Sequence, residues 1–174
     1  MPRTRNTLLL IFLTTLLAEC KSNKTTLEEG RGKISISPEM GEVVHVFKID
    51  NANGRQALQM QEGTICDGII FLGKELEAPR RYIETFCLVE LKGGNIEHAI
   101  KQILNTHTNL WKLLLDSKCK DQLSTFKKKA YIYQHGSAPR QTKQLAALRG
   151  QLKDIFGDNY KIARESDIGP FLRK

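Results

Sequence analysis

"LVELKGGN" (88–95) is the stretch on which the reading of this chain turns. A carboxylate, Glu90, and an amine, Lys92, stand two residues apart inside an otherwise apolar run, and a Gly-Gly turn follows at once. In a strand, residues i and i+2 project from the same face, so Glu90 and Lys92 point together while Val89 and Leu91 point to the other side. The commonplace account is a same-face ion pair on an edge strand, worth under about 1 kcal/mol. Asp67 argues for more. It too interrupts an apolar run, "ICDGIIFLG" (65–73), in a strand that would pair as a hairpin with the long strand expected over 81–92. Two carboxylates facing each other across adjacent strands make an oxygen-rich site for a hard cation such as Mg²⁺. Such a cation activates water and neutralises charge building on a phosphate, and a nearby lysine orients that water or stabilises the transition state.

On either side of this motif the periodicity sorts into strands and then helices. "KISIS" (33–37), "EVVHVFKI" (42–49) and the alternating "RQALQMQ" (55–61) read as strands, with "DNANG" (50–54) as a turn. "SNKTTLEEGRGK" (22–33) and "KELEAPR" (74–80) read as loops. From Asn95, a candidate N-cap, the apolar positions Ile96, Ala99, Ile100, Ile103, Leu104, Leu110 and Leu114 take helical spacing. A basic loop (116–129), a strand "AYIYQH" (130–135) and a helix opened by Pro139 follow. That helix carries Leu145, Leu148, Leu152 and Ile155 on one face and Gly157 past its end, and "YKIAR" (160–164) reads as a last short strand. The order predicts an α/β sandwich built on a mixed sheet.

The chain has 174 residues and a hydrophobic fraction of 40%, which suits one domain over 1–174. Its net charge of +8 favours polyanionic partners. Four cysteines (20, 66, 87, 119) lack CxxC spacing and read as reduced thiols, and the histidines at 45, 98, 107 and 135 form no zinc-ligand cluster with them. The N-terminus, "MPRTRNTLLLIFLTTLLAEC", has a basic start and an apolar run too short to span a bilayer. It reads as a core helix over 6–21, capped by Asn6, as a signal peptide with a poor cleavage end, since Leu16 stands where a small residue is wanted, or as a membrane anchor.

Asp67, then Glu90-Leu91-Lys92, then a Gly turn and the amphipathic "GGNIEHAIKQI" resembles the PD-(D/E)xK nuclease superfamily, over a core of roughly residues 33–135. The proline often found before the first acid is replaced by Cys66. The resemblance implies a restriction-endonuclease-like fold, a mixed central sheet flanked by helices with an αβββαβ core, followed by a C-terminal helix and tail over 139–174. It implies Asp67 and Glu90 as ligands to Mg²⁺ or Mn²⁺, the Leu91 carbonyl as a third ligand, and Lys92 acting on the nucleophilic water. Gln102 matches a polar residue often found near the site, whereas His98 is expected at the surface. The fold begins with a helix that often lends an acid. Here residues 6–21 supply it, with Glu19 as the candidate, which favours the core-helix reading over the signal peptide.

The implied activity is metal-dependent phosphodiester hydrolysis, on DNA in preference to RNA. The lysines of "KCKDQLSTFKKK" (118–129) and Arg140, Lys143, Arg149 and Lys153 are candidates to track phosphates. Nothing in the sequence reads bases, so selectivity is expected from substrate structure or a targeting protein partner. A cytoplasmic location without a membrane span is expected, or export if 1–20 are a leader. The competing class is a non-catalytic nucleic-acid-binding or interaction protein on the same fold.

Overall fold

In a computed structural model, residues 7–76, 81–91, 94–137 and 140–174 are described. Asn6, Lys92 and Pro139, named above, lie outside them. Helix α1 (Leu8–Leu16) is followed by one 3-10 turn (Ala18–Cys20) and a two-residue strand β1 (Lys21–Ser22). A hairpin β2 (Thr26–Glu29) and β3 (Gly32–Ser35) precedes β4 (Glu42–Lys48), short helix α2 (Ala52–Ala57), β5 (Gly68–Leu76) and β6 (Arg81–Glu90). Then come α3 (Ile96–Leu115), β7 (Lys127–Tyr133), α4 (Lys143–Phe156), β8 (Tyr160–Ala163) and α5 (Gly169–Arg173).

Six strands form one mixed sheet in the order β1-β4-β5-β6-β7-β8. The first four are joined antiparallel and the β6–β7 and β7–β8 pairs are parallel. This topology follows from the connections: β4, β5 and β6 succeed one another directly, whereas α3 and α4 carry the chain back to start β7 and β8 in parallel. Period-2 alternation divides the sheet into two faces. Phe47, Ile69, Phe71, Phe86 and Leu88 pack under α1, α3 and α4 in one core. Val46, Ile70, Leu72, Cys87 and Val89 pack on the opposite side with Leu27 and Ile34 of the hairpin and Ile168 and Leu172 at α5.

Several boundaries differ from the sequence expectations. The expected strand 55–61 is instead the end of α2 and the turn after it: Asn51 accepts from the Gly54 N–H at 2.9 Å, so it caps a helix where an Asn-Gly hairpin turn was read. Residues expected as a loop carry β2, because Leu27 alone in that polar run points into the core. Helix α4 is capped by Thr142, whose hydroxyl accepts from Leu145 N–H at 2.9 Å, and ends at Gly157 with φ +58°. Helix α1 is shorter than 6–21 and is capped by Thr7. Leu9, Leu10, Leu13 and Leu17 are all buried in the core under the helices. Among the described residues, no helix is long and apolar enough to cross a membrane.

His107 gives this core a pH limit. Its ring is stacked on Trp111 and lies edge-on to Phe156, each at 5.3 Å between centroids. Burial first, and the Lys128 charge second, push its pKa down to about 4. The unfolded chain takes up a proton near the ordinary value of about 6.5, so it binds more protons than the folded chain between these pH values, and stability falls as pH drops through that window. At about 1.4 kcal/mol per pH unit, about 2 kcal/mol is expected to be lost between pH 7 and pH 5. Urea unfolding at the two pH values checks this: His107→Phe should lose that part of the slope, and an unchanged slope would contradict it.

Candidate active site

The site is built where β5 begins and β6 ends. Their antiparallel register runs from Leu76 and Arg81 to Gly68 and Val89, and one further step sets Asp67 opposite Glu90. Glu90 ends β6 and by alternation shares the face of Phe86 and Leu88, under the helices, while Asp67 stands in the bend just before β5, next to Ile65 and Cys66 of that same core. Asp67 and Glu90 are both buried, at 5% and 0% exposure. The Leu91 N–H donates to Asp67 Oδ2 at 2.6 Å, a charge-assisted bond that seats this carboxylate on the Glu90–Leu91 peptide. The Ile49 N–H donates to the Asp67 carbonyl at 3.1 Å, which prolongs the β4 ladder to the same row.

Helix α3 fixes the approach to Asp67 from above. Gln102 Nε2 donates to the Ile65 carbonyl at 2.9 Å, and the Cys66 N–H donates to Thr106 Oγ1 at 2.9 Å. Thr106 in turn donates to the Gln102 carbonyl at 2.8 Å. Gln102 and Thr106, one helical turn apart and both buried, hold residues 65 and 66 and so position Asp67. The Gln102 Oε1 is buried with no hydrogen-bond partner among the described residues. Burial raises the Cys66 thiol well above its ordinary pKa, and the charges of Glu90 and then Asp67 raise it further, so this thiol stays protonated. From below, Gly32 of the hairpin lies against Leu91: a Cβ there would meet the Leu91 Cβ at 2.7 Å and its carbonyl oxygen at 2.8 Å.

The structure thus brings together Asp67, Glu90, the Leu91 backbone and Gln102. Glu19 is exposed on the 3-10 turn and makes no hydrogen bond or ion pair among the described residues. It precedes β1, which pairs with the outer edge of β4, and β4 in turn with β5. His98 is half-buried on the first turn of α3. Lys92 lies outside the described residues. Among the described residues no three or more His, Cys, Asp or Glu side chains gather to hold a metal. The oxygen groups that meet here are the carboxylates of Asp67 and Glu90 and the backbone around Leu91. All-oxygen donors fit a hard divalent cation and not zinc, which prefers thiolate and imidazole.

Sequence reasoning missed Thr106 and Cys66. The signal was present at Thr106, a polar residue four positions after Gln102 on the apolar stripe of α3. Lys127, Lys128 and Lys129 open β7, whose Ile132 is the residue paired with Glu90. Lys127 pairs with Thr85, five residues before Glu90 on β6, or about 16 Å back along the strand. Lys129 is 1% exposed, donating to the Phe171 carbonyl at 2.6 Å, and Lys128 sits 4.5 Å above the Trp111 ring. Both are packing elements of the far end of the sheet. No family model, curated protein or solved structure matches this chain.

Proposed function

We propose that the chain is a metal-dependent nuclease that hydrolyses phosphodiester bonds, in DNA in preference to RNA, through Asp67, Glu90 and Lys92. The observation that carries this reading is the seating of the Asp67 carboxylate on the Leu91 N–H, next to the buried Glu90 at the end of β6. With β1–β3 and α2 as insertions, the order α1, β4, β5, β6, α3, β7 supports a restriction-endonuclease-like αβββαβ core within one nuclease-like domain. Mg²⁺ or Mn²⁺, held by Asp67, Glu90 and the Leu91 carbonyl, would supply Lewis acidity and charge neutralisation at the scissile phosphate.

The remaining work falls to the chain. The Leu91 N–H holds Asp67 in one orientation, so no rotamer freedom is lost when the site fills. Gln102 Oε1 is a buried acceptor available to a water of the site. Lys92 is assigned to orient the nucleophilic water and to stabilise the developing negative charge. The burial of Asp67 and Glu90 favours the second reading, a non-catalytic nucleic-acid-binding protein on the same scaffold. A cleavage time course on single- and double-stranded DNA and RNA, with Mg²⁺, Mn²⁺ or chelator, separates the two. Cleavage that needs the metal is expected, and binding without cleavage under every condition would favour the second reading.

A further inference from the structure

We propose that a groove lined by Lys21, Lys24 and Lys48, with Ser22, Asn23 and Asn51 between them, binds the phosphodiester backbone of the nucleic acid. The placement of a substrate strand rests on the nuclease reading, but the groove itself does not. It measures about 380 Å³ and opens at the end of the sheet that carries Asp67. Lys21 pairs with Phe47 at the outer edge of β4. Lys48 closes β4 opposite Gly68, the residue after Asp67. By alternation Lys21 shares the face of Phe47 and Lys48 that of Val46, so the groove wraps the β1–β4 end of the sheet, one strand from β5.

The three lysines are exposed, and none is ion-paired among the described residues. Some other cations are matched by acids, Lys33 with Glu28 at 2.7 Å, Lys74 with Glu39 at 3.2 Å and Lys161 with Glu165 at 3.0 Å, and what sets the three groove lysines apart from other unpaired surface lysines is that they line one concave site. Glu19 is the one carboxylate among the described residues lining the groove. Neighbouring groups feel the surplus. Glu28 is held below the usual carboxylate range chiefly by Lys33, and also by the charges of Lys24 and Lys48. His45 is pushed down by burial first and by Lys21 second. A concave cluster of unpaired cations on a chain of net charge +8 repels itself, and a polyanion relieves that repulsion while releasing its own counterions. Phosphate is the anion that fits, since contact with lysine amines requires no base readout.

The test is a binding titration of the full chain in chelator, so that nothing is cut, against a labelled DNA duplex and an RNA duplex of matching sequence. Three lysine contacts predict that Lys21→Ala/Lys24→Ala/Lys48→Ala lowers the slope of log affinity against log salt by roughly 2–3 and weakens binding at least about tenfold near 50 mM salt. A charge-matched variant outside the groove, Lys74→Ala/Lys112→Ala/Lys161→Ala, should leave both nearly unchanged. Equal losses in the two variants, an unchanged slope in the first, or no binding of either duplex by the wild type would overturn the proposal. The tighter of the two duplexes identifies the backbone. Groove-dependent binding without Mg²⁺- or Mn²⁺-dependent cutting would leave the groove standing and remove the nuclease reading. Cutting with a groove variant that binds like wild type would do the reverse.

Discussion

Asp67→Asn and Glu90→Gln are expected to abolish Mg²⁺-dependent cleavage, each lowering kcat by at least about 10²–10³-fold, the scale of losing one preorganised electrostatic group. Both substitutions keep shape and an acceptor oxygen. Asp67→Asn can still receive the Leu91 N–H, so the local backbone need not shift. What disappears is the negative charge that a hard cation requires. Lys92→Ala is expected to behave differently. An ammonium cannot ligate Mg²⁺, so metal affinity should stay nearly intact while turnover falls. A bystander ion pair would instead shift stability by under about 1 kcal/mol and leave activity alone. Normal cleavage by the Lys92 variant would remove the role assigned to it.

Leu13→Ala is expected to cost about 2–5 kcal/mol of stability, the range for truncating a fully buried leucine. Leu13 is 0% exposed, in the core that α1 shares with Phe71, Phe86 and the helices α3 and α4. Leu8→Ala, at a residue 38% exposed on the same helix, is expected to cost well under half of that. The contrast bears on the choice between a core helix and a leader. A detached apolar leader predicts no change for either variant, and urea denaturation of the two side by side distinguishes the cases. The helix is also tied to the sheet by its cap, since the Thr7 hydroxyl donates to the buried Glu84 carboxylate.

The parts of the fold that were legible in the sequence are those set by local pattern. Helix α3 starts at its Asn95 cap and keeps its apolar spacing to Leu114, and β5 and β6 follow their β-branched and aromatic runs. That Asp67 and Glu90 stand at the same end of the β5–β6 hairpin followed from the strand order alone. The parts that were not legible depend on partners distant in the chain. Helix α5 is held by Arg173, whose guanidinium grips Glu42 at 2.9 Å through two nitrogens, 131 positions away. That grip keeps the Glu42 carboxyl down at about 2, so the clamp stays charged well into acid. The grip of Gln102 and Thr106 on residues 65 and 66 depends on where α3 docks, which no spacing within α3 encodes. The turn expected over 50–54 and the strand expected over 55–61 give way to a helix over Ala52–Ala57 because Asn-Gly suits both a turn and a short helix, and docking near Ile49 selects the helix.

Titration of Mn²⁺ into the full chain, followed by calorimetry, is the most direct measurement of whether Asp67 and Glu90 form a cation site. One ion per wild-type chain is expected, with binding lost in Asp67→Asn and in Glu90→Gln and kept in Lys92→Ala. No binding by the wild type, or equal binding by the wild type and both carboxylate variants, would contradict the proposed centre.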